Sequence, residues 1–286
     1  MPNKDESLQL IDVREDDLQA LSAEVLDTLL RDHTTGKNIF WATNDYDALG
    51  PEYGYHSEIL PRLITGEHGM VIRPRVLKNK DEQTGRSKDM AEVFTPSWIC
   101  NAQNNLVDEA WSAEDGKTWQ EYVRRTVLEI TCGEAPYLVS RYDTTTGELI
   151  PIDKRIGLLD RKLRLVGENT ETIDDWLEWA QIAFKNTYGY EWQGDNLLLA
   201  RENLLYTFIE YYNVKFGKAP LLKSINDIAN IISWNLWQMD GLKGVPPDYP
   251  SPGDLQDNPV PDIFTTYCLI RDWANDKKIR YVDLLR

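Results

Sequence analysis

The sequence predicts an α/β fold, a mostly parallel sheet with helices on both faces, preceded by an N-terminal α+β segment. Three observations carry this. From residue 127 onward, short apolar runs of strand length alternate with stretches of helical periodicity, β then α, three times over. A chain of 286 residues, 42% hydrophobic and with 10 tryptophans, can build a substantial core. Three of the expected strands run into a glycine or a carboxylate, the residue types that open sheets place beyond the carboxyl ends of their strands to meet ligands.

The elements follow in order. Residues 1 to 32 place Leu18, Leu21, Val25 and Leu29 at helical spacing behind Asp16 or Asp17 as a cap, which predicts a surface helix. From Thr34 to Leu77, aromatic and β-branched runs broken by Gly, Pro and Asn predict short strands and loops. The charged stretch Lys78 to Lys88 predicts a mobile loop, available to phosphate. Pro96 marks a helix start, with Ile99, Leu106, Val107 and Ala110 behind it. A strand at Val127 to Ile130, a helix after Pro136, an amphipathic helix from Thr172 to Asn186 and a strand at "YGYEW" come next. Then follow a helix from Leu197 to Lys215, a short helix from Ser224 to Ala229 and a strand at "IISWNLW". A tail with six prolines between Gly244 and Asp262 leads to two more strands, "TTYCLIRDW" and "IRYVDLL". The expected division is 1–90 (helix and short strands), 91–242 (the cofactor-binding core) and 243–286 (Pro-rich loop and C-terminal strands).

Composition narrows function. The formal charge of −16, from 31 basic and 47 acidic residues, repels phosphate backbones, so a role on DNA requires a local basic patch or a partner protein. Cys100, Cys132 and Cys268 are far apart, and His33, His56 and His68 are scattered, which suggests neither a disulfide framework nor a metal site. No apolar run reaches membrane-spanning length and "MPNKDESLQL" has no basic or apolar leader pattern, so the expected location is the cytoplasm. The aromatic stripe Tyr206, Phe208, Tyr211, Tyr212 and Phe216 has the spacing of a core helix.

The strand ends carry the chemistry. "LEITCGEAPYL" puts Glu129 in a strand and Gly133 at its turn, where a missing Cβ admits a ligand close to the backbone. "YGYEWQG" ends on Glu191, a carboxylate able to accept both hydroxyls of a ribose. "NLWQMDGL" ends on Asp240, able to accept from an adenine amino group. Together they suit a nucleoside-bearing cofactor lying across the strand ends.

With "AEVFTP" upstream and "YGYEWQGDNLLLARENLLYTF" downstream, this ordered set resembles the adenine-specific (N6) DNA methyltransferases of restriction–modification systems, and among them short proteins labelled restriction endonuclease subunit M. The resemblance runs from about Glu92 to Leu242, and for the short proteins extends upstream to "TTGKNIFWAT". It implies an S-adenosylmethionine-dependent, Rossmann-like methyltransferase fold with a truncated sheet. It also implies that Thr95 and Pro96 flank the methionine moiety of S-adenosylmethionine, Glu129 and Gly133 its amino-acid end, Glu191 its ribose and Asp240 its adenine. The implied partners are DNA, a restriction–modification protein, or both.

The pattern also breaks. Where the family has a second glycine this chain has Ala135, expected to press a Cβ against the cofactor and to resist φ > 0, and Pro136 removes a backbone donor. The family's polar-Pro-Pro-aromatic signature, which holds the flipped adenine, has no match on a fourth strand. "VPPDY" (Val245 to Tyr249) follows Asp240 too closely, and "CLIRDW" offers Asp272 and Trp273 as catalytic candidates but lacks the prolines. Two functions are therefore expected: a DNA adenine methyltransferase-like protein needing a partner, or an inactive homologue serving as an acidic binding or anti-restriction protein.

Overall fold

The computed structural model describes residues 14–78, 95–112, 117–247, 249 and 267–285. Two short helices, α1 (Glu15–Leu21) and α2 (Ala23–Leu30), lead into irregular chain with brief 3-10 turns up to residue 78. Then come α3 (Ser97–Ser112), α4 (Trp119–Arg124) and β1 (Val127–Glu129). An excursion of turns precedes α5 (Leu158–Asn169) and α6 (Ile173–Lys185), which return the chain to β2 (Thr187–Glu191). The long α7 (Gly194–Phe216) and α8 (Leu222–Asn235) lead to β3 (Leu236–Gln238). The hairpin β4 (Leu269–Asp272) and β5 (Lys277–Arg280) closes the described chain.

The three strands β1, β2 and β3 lie side by side in that order and all parallel, Glu129 level with Gly189 and Glu191 level with Gln238. The protein is thus mixed α/β with a parallel sheet, as expected, but the helices do not cover both faces. The core that holds Val127 and Leu236 also holds Val166, Ala180, Phe208 and Ile232 of the connecting helices. Tyr190 and Trp237, on the opposite face, pack instead with Ile270 and Tyr281 of the hairpin region. Strand order explains this: right-handed crossovers taken always in one direction leave every connecting helix on one side, and only a reversal of strand order puts helices on both. A cleft of about 250 Å³ remains between that second face and the hairpin, lined by Leu128, Tyr188, Trp237 and Ile270 among others.

Several elements differ from expectation. Leu18, Val25, Leu26, Leu29 and Leu30 are all at most 1% exposed, so α1 and α2 are core helices rather than a surface helix, and Ser22 divides them. Between residues 33 and 77, pairing is confined to single bridges such as Phe40 with Glu58. No helix follows Pro136; a single turn, with Leu138 and Val139 amides on the Ala135 carbonyl, gives way to the excursion. Leu158 and Leu159 then return to bond the Tyr137 and Leu138 carbonyls. Asp160 holds this return, accepting from the Ser140 amide and hydroxyl at 2.8 and 3.1 Å. The expected strand at "IISWNLW" is mostly helix, since α8 runs through Asn235 before β3 begins. Lys78 belongs to no open loop: its ammonium is buried and paired with Asp195 at 3.3 Å, while residues 79–88 of the expected loop lie outside the described residues. No helix among the described residues is long and apolar enough to cross a membrane.

Candidate cofactor site

The β1 turn supplies the floor of the site. Cys132 continues the ladder by donating to the Tyr190 carbonyl at 2.9 Å, and then the backbone turns back on itself with positive φ at Thr131, Gly133 and Ala135. Gly133, at φ 53°, takes this conformation without strain. Ala135 takes it too, at φ 61°, contrary to expectation. Its methyl is fully buried in the main core, so it does not press on a ligand; that burial and the turn's hydrogen bonds offset a left-handed penalty of about 1 kcal/mol. Pro136 removes one donor, and the next two amides, Tyr137 and Leu138, are spent on the Glu129 carboxylate at 3.3 and 3.2 Å.

Glu129 and Glu191 are both buried and close enough to feel each other. Burial pushes the Glu129 carboxyl up to about 8, against the two amide hydrogen bonds, and the Glu191 charge adds to the push. Glu191 sits where β2 ends, accepting from the Gly133 amide at 2.8 Å and the Gln193 amide at 3.2 Å. Burial raises its carboxyl as well, opposed by those amides. A carboxylate has about four lone-pair sites, so the Gly133, Gln193 and Trp192 amides leave Glu191 room for one further donor. Its backbone carbonyl accepts from Met239 at 3.0 Å, which ties the end of β3 alongside.

Asp240 follows at the end of β3, half-exposed, its carboxylate accepting from the Leu242 and Lys243 amides at 2.8 and 3.1 Å. Thr95 and Pro96 reach the site through α3. Asp143 caps that helix, accepting from the Ser97 amide and hydroxyl at 2.8 and 2.6 Å. Asn104 then donates to the Tyr137 and Ile156 carbonyls at 3.0 and 3.1 Å, holding α3 against the β1 turn. Cys100 links the two: its thiol donates to the Thr95 carbonyl at 3.6 Å, and burial, with the Glu129 charge, pushes it up to about 12. Thr95, Glu129, Gly133 and Glu191 are therefore gathered around one turn, with Asp240 on the neighbouring strand.

Asp272 and Trp273 are not part of this gathering. Cys268 bonds Gly244 and the Gln238 carbonyl near the carboxyl end of β3, and β4 then runs back along the sheet. At its far end the Trp273 indole donates to Asn235, the residue preceding β3, at 2.7 Å. Asp272 accepts from the Ala274 and Asn275 amides at 3.0 and 3.1 Å, capping its own hairpin turn. Both lie at the amino end of the sheet, the end opposite the β1 turn. Val245, Pro246 and Pro247, by contrast, are buried beside Asp240 at the carboxyl end, and Asp248 lies outside the described residues.

Sequence reasoning missed the residues that lock the N-terminal segment onto this end. Gln238 donates to the Phe40 carbonyl and accepts from the Phe40 amide, both at 2.8 Å, and donates to the Trp192 carbonyl at 2.7 Å. Gly194 approaches the same segment so closely that an added Cβ would stand 1.9 Å from the Phe40 oxygen. Glu134, next to Gly133, accepts from the Arg75 amide at 2.7 Å and the Tyr142 hydroxyl at 2.6 Å. Arg201 spends its buried guanidinium on carbonyls of Leu29, Arg31, Ser233 and Leu236, joining the end of α2 to the start of β3. A buried polar residue closing an apolar strand, as Gln238 closes "NLWQ", is the one local signal that marked any of them.

No family model, no curated protein and no solved structure matches the chain.

Proposed function

We propose that the protein binds S-adenosylmethionine across the carboxyl ends of its three parallel strands and is a DNA adenine methyltransferase-like member of a restriction–modification or phage defence system that needs a partner subunit for methyl transfer. One observation carries the reading: the Gly133 amide meets the Glu191 carboxylate at 2.8 Å, joining the β1 turn to the end of β2 where a nucleoside cofactor needs both. Glu129 and Gly133 would face its amino-acid end, Thr95 and Pro96 its methionine moiety, Glu191 its ribose and Asp240 its adenine. The donor set fits: the buried Glu191 carboxyl suits a hydroxyl, an ammonium at the other end would draw the proton from Glu129, and a turn with Gly133 at positive φ admits close approach. When bound, the cofactor supplies an electrophilic methyl group. The chain's own part is to orient it and keep water from the buried carboxylates.

Isothermal titration with S-adenosylmethionine tests this. The wild type should release or absorb heat that Glu191→Gln largely abolishes; a folded wild type silent at about millimolar ligand sinks the reading. A second reading, an inactive homologue acting as an acidic binding or anti-restriction protein, is favoured by Asp272 and Trp273 standing at the opposite end of the sheet. Transfer of labelled methyl groups to DNA by the purified chain would exclude it.

A further inference from the structure

The hairpin carries positive charge that the cofactor site does not use. In β4 and β5, Arg271 stands directly opposite Lys278. A like-charge pair across two strands costs stability by itself. Beside them lies Trp234, whose ring centroid is 5.7 Å from the Arg271 guanidinium and 5.1 Å from the Lys278 ammonium. Trp273 receives Arg271 at 5.1 Å and Lys185 at 5.5 Å. The His33 ring stacks on Trp234 at 3.8 Å. Burial first, with the charges of Arg201, Arg31, Lys278 and Arg271 adding to it, drives the His33 imidazole down to about 3.

Apart from Arg271, these cations form no ion pair among the described residues. Arg271 is bridged to the exposed Asp276. Among the described residues, no carboxylate forms a salt bridge with Arg31, Lys185, Lys277 or Lys278, although Glu24 and Asp27 line the cleft beside Arg31 and Asp272 faces Lys277 across the hairpin. Lys277 and Lys278 are exposed and Lys185 is half-exposed, in a chain with 16 excess negative charges.

We infer that this cation-and-indole face, Lys185, Arg271 and Lys278 around Trp234 and Trp273 with Arg31 beside His33, anchors the phosphate backbone of DNA. Cations held over aromatic rings, as Lys185, Arg271 and Lys278 are, suit a ligand with closely spaced negative charges. Trp234 is only 5% exposed, so the contact is to phosphates rather than stacked bases, and it is independent of sequence. The face lies at the amino end of the sheet, so it positions a duplex and does not deliver a base to the β1 turn. The choice of DNA rests on the function proposed above; the site itself does not depend on cofactor binding.

Fluorescence anisotropy with a labelled duplex of about 20 base pairs, from about 50 to 200 mM salt, tests the anchor. The double variant Lys185→Gln, Lys278→Gln should bind roughly tenfold more weakly at low salt, with a log–log salt slope shallower by about 2. Lys223→Gln, whose ammonium pairs with Asp227 at the other end of α8, should match the wild type. On the wild type alone, duplex should protect Lys185 and Lys278 from acylation read by mass spectrometry, while Lys223 stays reactive. Absence of binding at low salt, equal binding by the double variant, unchanged acylation, or displacement by polyglutamate as readily as by duplex each overturns the anchor, the last in favour of an acidic protein. Titration with S-adenosylmethionine on the same samples separates the two proposals: silent calorimetry with intact DNA binding removes the cofactor reading and leaves the anchor.

Discussion

The two ends of the parallel sheet are built from opposite hydrogen-bonding groups. At the carboxyl end, buried Glu129, Glu134 and Glu191 all accept from backbone amides. At the amino end, amine and amide side chains donate to backbone carbonyls: the buried Lys162 Nζ, its pKa lowered by burial, to Arg125 and Asn186 at 2.5 and 2.9 Å, and Asn235 to Phe184 and Thr187 at 2.9 and 3.1 Å. Strand direction accounts for this. Helices that precede parallel strands end at the amino side and present free carbonyls, whereas turns and helix starts at the carboxyl side present free amides. The backbone therefore selects carboxyl acceptors where a cofactor would lie and side-chain donors at the opposite end of the sheet. Asp272, an acid at the amino end, escapes the rule only by serving its own turn.

The largest way to break the comparison is at Gly194. A Cβ there meets the Phe40 carbonyl at 1.9 Å, so Gly194→Ala must displace either the start of α7 or the N-terminal segment. The expected loss is about 3 kcal/mol or more, at the upper end of overpacking costs, read as a fall in the urea midpoint. An unchanged midpoint would show that residues 38–42 do not hold the carboxyl end.

Next in size is the pH dependence of Glu129. Its carboxyl is ordinarily ionised above about 4.5 and is pushed up to about 8 in the folded chain, so the folded state keeps a proton that the unfolded state gives up. The stability this represents is fully present below about 4.5 and is lost as pH rises toward 8. Between pH 5 and 8 the loss approaches about 3 to 4 kcal/mol. Glu129→Gln should flatten that stretch of the stability curve, measured by urea unfolding at a series of pH values.

What the sequence made legible tracks how local each cause is. β1, β2, α6 and α7 declare themselves through periodicity and caps within a few residues, and Glu129, Gly133 and Glu191 sit at strand ends that the same pattern marks. The boundary between α8 and β3 was misplaced because Ile231 to Trp237 is mostly apolar and buried throughout, and a fully buried helix end and a buried strand look alike. The missing helix after Pro136 depends on Ser140 meeting Asp160 and on Leu158 returning to Tyr137, neither visible in a window of one turn. Lys78 reads as loop because its partner, Asp195, is 117 residues away. Gln238 and Phe40, 198 residues apart, lie equally beyond local patterns.

A smaller effect belongs to the amino end. Trp273→Phe keeps an aromatic ring and deletes the 2.7 Å hydrogen bond to Asn235, leaving the buried Asn235 side-chain oxygen without that donor. The cost should be about 1 kcal/mol, with the S-adenosylmethionine titration unchanged. A change in that titration would mean the two ends are coupled through β3.

The smallest effect is expected at Asp272, and it sharpens the comparison most. Its carboxylate is solvent-facing and serves the Ala274 and Asn275 amides and the Asn275 side chain, all within its own turn. Asparagine can accept the same amide bonds, and it keeps the turn conformation that Asp and Asn share. Asp272→Asn should therefore leave the unfolding midpoint, the cofactor titration and any methyl transfer seen with a partner unchanged. Loss of methyl transfer with the midpoint intact would instead place this carboxylate at the chemistry, which the distance between sheet ends forbids unless the hairpin leaves the face that carries Tyr190 and Trp237.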